Sequence, residues 1–288
     1  MRKYTVNMTY EPFAKEPEYI EANRAFIKNI DLTSTRRILD LACGIGTMTG
    51  LIFEKKMDVT VSGLDLSRES LLIAKEHFAT SGDTQVADRK TVILFQGTAD
   101  CLPSKDQAVD MVIMGNAIHL LPDSAKLVGE VYRVLQPGGV FAFNSSFYAG
   151  TMPKGTEIFH HEWVKQAALY ILRKDNKLRK QGLKGIPRKR GTVPGAFSKQ
   201  WPSPEEWTKT LQDHGFAVQV MSERTVFMTQ RNFETIGAYG GFAKVILSGY
   251  PVEEASEALQ ATAGPALAEV KMQTIPRLWL EVIAVKSC

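Results

Sequence analysis

The chain has 288 residues and a formal net charge of +4 at pH 7, and 44% of its residues are hydrophobic. This length suits one large α/β domain, or one domain with a sizeable insertion, and buries enough surface for folding without disulfides. Its three cysteines are far apart in the sequence, which argues against a disulfide framework, and their spacing is not that of zinc ligands. The sequence shows no apolar run typical of a signal peptide or of a membrane span, so we expect a cytoplasmic protein.

Aromatic residues and a helical pattern mark the first segment, 1–30, which we predict to be a helical piece of a lid. Beyond it, apolar strand-like runs alternate with helical patterns over 36–146, which is typical of a parallel sheet covered by helices. The sequence predicts five strands there, at 36–42, 59–66, 91–97, 109–116 and 139–146.

Two helices between these strands have recognisable start signals. Ser67 is the predicted N-cap of a helix that runs to Phe78, and Asp123 or Ser124 begins a second helix. The apolar residues of the second helix form one stripe, which we interpret as core packing. Residues 136–139, Gln-Pro-Gly-Gly, end that helix and turn the chain into the next strand.

The segment 148–200 loses this alternation, and we interpret it as an inserted substrate lid because it mixes glycine, proline and aromatic residues with a basic run. The basic run, 173–190, contains nine lysine and arginine residues and a single acid, Asp175. Three interpretations stay open for it: a solvated helix face, an anion-binding lid over an active site, or a nucleic-acid-binding patch.

The remainder of the chain returns to the sheet. We predict a helix over 203–214, a strand over 216–228, an irregular or helical insertion over 229–275 and a final strand over 277–286. The predicted organisation is therefore an N-terminal lid (1–30), a core (31–147), an inserted lid (148–200) and a C-terminal part of the core (201–288) that contains the second insertion.

A glycine-containing turn follows the first predicted strand of the core, in ILDLACGIGTMTG, residues 38–50. Gly44 and Gly46 suit a sharp turn from a strand into a helix with space for a ligand. The dinucleotide-binding fingerprint G-x-G-x-x-G would have its third glycine where Thr49 stands. The turn therefore predicts a nucleotide-like ligand without identifying it.

Polar residues follow the next three strands, at the edge where ligands of such sheets bind. Asp65 ends the second strand and is suited to accept hydrogen bonds from both ribose hydroxyls. The turn at 97–100, Gly-Thr-Ala-Asp, suits contacts with an adenine edge, and Asn116 and His119 lie where the fourth strand ends.

Together these motifs resemble the successive motifs of class I S-adenosylmethionine-dependent methyltransferases, in the small-molecule branch that includes the ubiquinone/menaquinone C-methyltransferases. The resemblance is strong over 36–146 and rests on the turn at Gly44, Asp65, 97–100, Asp110 and Leu-x-Pro-Gly-Gly at 135–139. It implies an α/β, Rossmann-like fold whose seven-stranded, mostly parallel sheet has helices on both faces, and S-adenosylmethionine as the cofactor. That molecule has no pyrophosphate, so the third glycine is not required.

The resemblance also implies a set of cofactor-binding residues: Tyr10, Asp40, Ala42, Gly44, Gly46, Asp65, Leu66, Thr98, Ala99, Asp100 and Asn116. Within this set, Asp65 holds the ribose and Leu66 packs on the adenine, while Asp40 orients the turn or meets the ammonium group. Either Thr98 or Asp100 meets the adenine amino group.

Methyl transfer from this cofactor requires alignment and the exclusion of water, and a general base only when the acceptor must lose a proton. Candidates for that base are His119 at the sheet edge and His160, His161 or Glu162 in the lid run FHHEWV. Adjacent residues of a helix point in different directions, so this His-His-Glu run alone does not make a metal site, and we predict none.

The acceptor is predicted from the lid. Its aromatic residues and basic run favour a small amphipathic metabolite of specialised metabolism, methylated at carbon or oxygen and either neutral or anionic. A prenyl diphosphate, which would bring Mg²⁺, is one specific case.

Two other functions stay open: an RNA methyltransferase that tracks phosphates with the basic run, and a relative that keeps the fold but catalyses another reaction. The sequence Gly-Asn-Ala-Ile at 115–118 differs from the Asn-Pro-Pro-aromatic motif of amino-directed nucleic-acid enzymes. We therefore expect a small-molecule substrate and no nucleic-acid partner.

Overall fold

Seven strands form one sheet in the computed structural model of the chain, which describes residues 4–80, 91–189 and 201–287. In chain order they are β1 (Arg37–Leu41), β2 (Thr60–Asp65), β3 (Thr91–Gln96), β4 (Val109–Gly115), β5 (Leu135–Ser145), β6 (Phe216–Thr229) and β7 (Thr274–Lys286). Across the sheet their order is β3-β2-β1-β4-β5-β7-β6. The first five strands pair in parallel and β7 runs antiparallel to β5, which confirms the predicted mostly parallel sheet.

The described residues also form ten α-helices: α1 (Glu11–Ala14), α2 (Pro17–Lys28), α3 (Thr47–Lys55), α4 (Arg68–Thr80), α5 (Ser124–Val134), α6 (Glu157–Lys180), α7 (Pro204–Asp213), α8 (Gln230–Ala238), α9 (Gly240–Ile246) and α10 (Val252–Glu269). The predicted insertion over 229–275 is thus helical for most of its length. A short 3-10 turn, Ile118–Leu120, follows β4.

The start signals read from the sequence are present as caps. Ser67 Oγ accepts the N–H of Ser70 at 3.2 Å before α4. Of the two candidates for α5, the N-cap is Asp123, whose carboxylate accepts the N–H of Lys126 at 2.9 Å. Each cap satisfies a backbone donor that the first helical turn leaves without an intrahelical partner.

Two hydrophobic clusters lie on the two faces of the sheet, because successive side chains of a strand point to opposite sides. Ile38 and Met111 belong to the cluster that contains Phe26 of α2 and Ile52 of α3. On the other face, the cluster combines strand residues with residues of α5 and α7, among them Leu39, Val112, Leu127, Val131, Trp207 and Leu211. Helices therefore cover both faces, as predicted.

The predicted turn at 136–139 is present but lies inside β5. The pairing of β4 with β5 passes from Val109↔Leu135 to Met111↔Val140, so four residues are looped out of the ladder. Gly138 adopts a φ of +74° there, which a residue with a Cβ rarely adopts. β5 consequently begins at Leu135, earlier than the predicted start at 139.

The chain divides into two compact units. One, which we call the sheet unit, comprises the described residues of 19–151, 201–225 and 278–287. The other, the helical unit, comprises 4–18, 152–189 and 226–277. The predicted lid 1–30 therefore spans both units, because one face of α2 is buried in the core of the sheet unit from Tyr19 onward. Residues 190–200 of the predicted lid, including Arg190 of the basic run, lie outside the described residues.

Among the described residues there is no helix with the length and apolar character needed to cross a membrane.

Candidate cofactor site

The turn between β1 and α3 contains two glycines with different tasks. Both have positive φ, +55° at Gly44 and +85° at Gly46. A Cβ on Gly46 would lie 2.5 Å from Cε2 of Phe78 in α4, so this glycine is needed for packing. A Cβ on Gly44 would meet nothing within 4 Å, so the turn is open at that position. Ala42 also has a positive φ, +53°, which is strained for a residue with a Cβ.

The carboxylate of Asp65 holds the turn in place. Its Oδ2 accepts the backbone N–H of Gly44 at 2.8 Å, and its Oδ1 accepts the N–H of Ser67 at 2.7 Å. A carboxylate has about four lone-pair sites, so Asp65 keeps acceptor capacity for a ligand hydroxyl. The next residue, Leu66, has 69% of its surface exposed, which is unusual for a leucine directly after a buried strand.

Asp40 lies beneath the turn, fully buried in β1. Its Oδ2 accepts the hydroxyl of Thr49 at 2.6 Å, whereas its Oδ1 has no hydrogen-bond partner within the described part of the chain. Burial raises the pKa of Asp40 to about 7; the charge of Asp65 adds to this effect and the Thr49 hydroxyl opposes it. Thr49, which replaces the third glycine of the dinucleotide fingerprint, is thus the partner of a buried acid.

The turn after β3 lies beside β2, where Gly97 N–H donates to the backbone oxygen of Asp65 at 3.0 Å. Ala99 is buried in this turn. Asp100 forms an ion pair with Lys126 at 3.1 Å, and hydrogen bonds from Thr98 and then Lys126 lower the pKa of its carboxyl. Thr98 and Asp100 both stay candidates for the adenine contact.

Asn116 joins the ends of β4 and β5. Its side-chain oxygen accepts both the backbone N–H and the hydroxyl of Ser146, at 2.8 and 2.9 Å. Its own N–H donates to Oδ1 of Asn144 at 2.8 Å, and Asn144 in turn donates to Asn23 of α2 at 2.8 Å. The predicted cofactor residue thus belongs to a buried amide network whose other members the sequence analysis did not single out. The polar run Asn-Ser-Ser at 144–146, closing an apolar strand, was the signal for it.

His119 lies on the 3-10 turn after β4 and is held by its neighbours. Its Nδ1 is 3.2 Å from Oγ of Ser145. Its ring centroid is 4.1 Å from that of Phe147 and 5.7 Å, edge-on, from that of Trp201. The same Ser145 hydroxyl accepts the N–H of Phe147 at 3.0 Å and donates to the backbone oxygen of Phe147 at 3.1 Å, which holds the serine side chain beside the imidazole. The arrangement combines a proton acceptor with two aromatic surfaces at the carboxyl end of the sheet.

Tyr10 lies in the helical unit, directly before α1. Its ring is 5.1 Å from Phe13 and 5.5 Å, edge-on, from Tyr239. These contacts hold the ring of Tyr10, which the resemblance implies as a cofactor-binding residue.

The His-His-Glu run lies on α6 of the helical unit and its side chains separate, as expected from their adjacent positions. His160 is buried, and burial, followed by the charges of Arg277 and His161, lowers its pKa to about 3. His161 is exposed. Glu162 accepts hydrogen bonds from Gln166 and Lys165 at 2.8 and 2.9 Å, and these lower the pKa of its carboxyl. Over the described residues, no cluster of three or more His, Cys, Asp or Glu side chains could hold a metal ion.

Two further side chains of the core, Asp110 and Cys43, have surroundings that suit a structural role. Asp110 accepts the backbone N–H groups of Arg36 and Arg37, each at 2.8 Å, and so fastens the start of β1. Cys43, beside the glycine turn, is buried, and burial raises the pKa of its thiol, which makes it a poor nucleophile.

Comparison with known proteins finds a family that matches the core of the chain. Residues 39–143 match the family described as "Methyltransferase domain". Over 110 residues the chain is 42% identical to the demethylmenaquinone methyltransferase of Lactiplantibacillus plantarum, which covers 38% of this chain and 44% of that protein. It is 36% identical over 104 residues to the ubiquinone/menaquinone biosynthesis C-methyltransferase of Desulfotalea psychrophila, with 36% and 38% covered. The matched part is therefore less than half the length of either relative.

Solved structures extend the likeness of fold. BH2331 of Bacillus halodurans has a TM-score of 0.57 at 16% identity and covers 93% of this chain and all of its own. The [4+2]-cyclase SpnF has a TM-score of 0.54 at 15% identity, covering 93% of this chain and 81% of its own. The family resemblance seen in the motifs is confirmed by the domain match, and the Rossmann-like fold by these structures.

Proposed function

We propose that the chain binds S-adenosylmethionine at the Gly44 turn and transfers its methyl group to a small amphipathic acceptor, in keeping with the match of residues 39–143 to a methyltransferase domain family. The observation that carries this proposal is the pairing of an open turn with an acid: Gly44 faces empty space, and its N–H is held by the Asp65 carboxylate. Open backbone beside a ribose-binding acid suits an adenosyl ligand.

The residues present fit the cofactor. Asp65 would hold the ribose hydroxyls with its remaining lone pairs, and the exposed Leu66 would cover the adenine. The buried backbone of Ala99 would face the adenine ring, and Asp40 would act from beneath the turn on the ammonium end, since its Oδ1 has no hydrogen-bond partner within the described residues. S-adenosylmethionine contains no pyrophosphate, so the site does not require a glycine in place of Thr49.

The bound cofactor supplies a methyl group that is already activated for transfer. The protein then has to align the acceptor, a contribution worth roughly 7–11 kcal/mol for well-oriented reactants, and to accept any proton that the acceptor loses. We assign the proton to His119, because its Nδ1 lies 3.2 Å from Oγ of Ser145 and its ring packs against Phe147 and Trp201. The two rings would exclude water from that side of the imidazole.

We propose a phenol- or quinol-type ring as the acceptor, methylated at carbon or oxygen. Two observations support this class: the aromatic surfaces beside His119, which suit stacking of a ring, and the quinone named in both curated relatives. A phenolic acceptor also needs the general base that His119 would provide.

Turnover with defined acceptors tests the proposal. The full chain is incubated with methyl-labelled S-adenosylmethionine and a short-chain naphthoquinol, and both labelled product and S-adenosylhomocysteine are measured. We expect the two products in equal amounts, with both lost in Asp65→Ala. Conversion of the acceptor without S-adenosylhomocysteine would instead indicate another reaction on this fold.

A further inference from the structure

The outer face of α6 combines exposed apolar and cationic side chains. Leu169 and Leu172 are exposed, whereas the opposite side of the helix, which includes Trp163 and Ala167, is buried. Leu183 follows directly after the helix and is 56% exposed. We call Leu169, Leu172, Arg173, Lys177, Lys180 and Leu183 the α6 outer face.

Leu183 is held against the end of the helix by a regular C-cap. Gly182 has a φ of +72°, its N–H donates to Arg179 O at 3.0 Å, and the N–H of Leu183 donates to Leu178 O at 2.9 Å. This pair of bonds is the Schellman motif, which fixes the residue after the glycine. The backbone of this third exposed leucine is therefore fixed at the C-terminal end of the helix that carries the other two.

The cations of this face have no acid to neutralise them. Arg173, Lys177 and Lys180 are exposed and form no ion pair with any acid that the structure describes. Lys174, by contrast, turns to the inner side and pairs with Glu254 and Glu257 at 2.8 and 2.9 Å. Three cations of the basic run therefore lie on the same stretch of helix as the exposed leucines.

This combination selects one kind of partner. Nucleic acid is bound through phosphates and stacked bases and gives no reason for a row of exposed leucines. An interfacial helix needs both features, since its leucines enter the acyl region while lysine and arginine contact the lipid phosphates. We propose that the α6 outer face docks on the surface of a bilayer containing anionic phospholipid. This docking is independent of the proposed methyl transfer.

Vesicle flotation of the full chain tests the docking. Vesicles of phosphatidylcholine with phosphatidylglycerol are compared with phosphatidylcholine alone, and we expect binding only to the anionic vesicles. Lys177→Glu with Lys180→Glu should weaken that binding at least about tenfold, because each cation near an anionic surface contributes about fivefold. The matched control, Lys75→Glu with Lys105→Glu, removes the same charge from exposed positions elsewhere and should leave binding within about twofold.

A second pair of variants separates lipid from other polyanions. Leu172→Ser should weaken binding to the anionic vesicles about fivefold or more, while Leu72→Ser on α4, a leucine with the same 52% exposure, should not. Absence of binding to the anionic vesicles, or equal effects of test and control variants, overturns the proposal. The proposal is also overturned if Leu172→Ser keeps full binding to the vesicles while the charge reversal abolishes binding to both vesicles and bulk RNA.

Discussion

The Oδ2 atom of Asp65 accepts the backbone N–H of Gly44 at 2.8 Å across a sequence separation of 21 residues. This bond joins the carboxyl end of β2 to the turn that follows β1, while Oδ1 of the same carboxylate holds the start of α4 through Ser67. One side chain therefore positions both the glycine turn and the next helix. The acid that would bind the ribose is also the acid that shapes the site around it.

Gly44 and Gly46 should respond differently to alanine. Both substitutions incur the cost of a left-handed residue with a Cβ, about 1–2 kcal/mol. Gly46→Ala also brings a Cβ to 2.5 Å from Phe78, so we expect a further loss of about 1–3 kcal/mol in the free energy of unfolding. In urea denaturation, the Gly44→Ala protein should therefore be more stable than the Gly46→Ala protein. In calorimetric titration, Gly44→Ala should nevertheless lose affinity for S-adenosylhomocysteine.

A compensating variant checks the cause assigned to Gly46. Phe78→Leu combined with Gly46→Ala should recover part of the lost stability, since the contacting ring is removed. Equal stability of the Gly44→Ala and Gly46→Ala proteins would show that packing against Phe78 is not what requires a glycine there.

Asp40 predicts a pH dependence of stability. Its folded pKa of about 7 lies above the ordinary value of 3.8, so the folded protein binds a proton more tightly than the unfolded chain. The contribution of Asp40 to stability is therefore complete at low pH and falls by at most about 1.4 kcal/mol per pH unit as pH rises towards 7. Above that pH the decline should level off.

Asp40→Asn removes this titration, because an amide does not ionise in the range. Urea denaturation of both proteins from pH 5 to pH 8 should show the variant gaining stability relative to wild type as pH rises. A constant difference between the two proteins across the range would contradict the raised pKa of Asp40.

His119→Ala should lower kcat/KM for a phenolic acceptor by about 10²-fold or more, the usual contribution of a positioned base. Affinity for S-adenosylhomocysteine should stay within about twofold, because His119 contacts the aromatic rings and Ser145. Ser145→Ala should have a smaller effect on kcat/KM and shift its pH profile, since it removes the partner of Nδ1.

Two of the three other predicted bases, His161 and Glu162, are tested in the same assay. His161 is exposed and Glu162 is paired with Lys165 and Gln166, so His161→Ala and Glu162→Gln should each change kcat/KM by less than about threefold. If either variant lost much of its kcat/KM while His119→Ala kept the wild-type value, the residue that accepts the proton would be on α6 instead.

The first four strands were predictable because each is a short, largely apolar run between turn residues, and local signals also predicted the N-cap at Ser67 and narrowed the next one to Asp123 or Ser124. The turn at Gly44 was predictable for the same reason. Long-range partners were not. The bond from Thr49 to Asp40 and the ring of Trp201 beside His119 depend on how separate elements pack, which no local pattern records.

The division into units shows the same limit of local patterns. The aromatic, helical character of 1–30 was visible, but not that α2 is buried against the sheet from Tyr19 onward. Burial of one helix face against a distant strand is a tertiary choice, so helical periodicity alone fits a lid and a core helix equally well.

The most direct test of the central claim is calorimetric titration of S-adenosylhomocysteine into the wild-type chain and into Asp65→Asn. We expect saturable one-site binding to wild type and a loss of affinity of about 10-fold to 100-fold in the variant, because hydrogen bonds to a charged acceptor contribute about 1.5–3 kcal/mol. Binding of equal strength to both proteins, or no binding to the wild-type chain, would contradict the assignment of the Gly44 turn and Asp65 as the cofactor site.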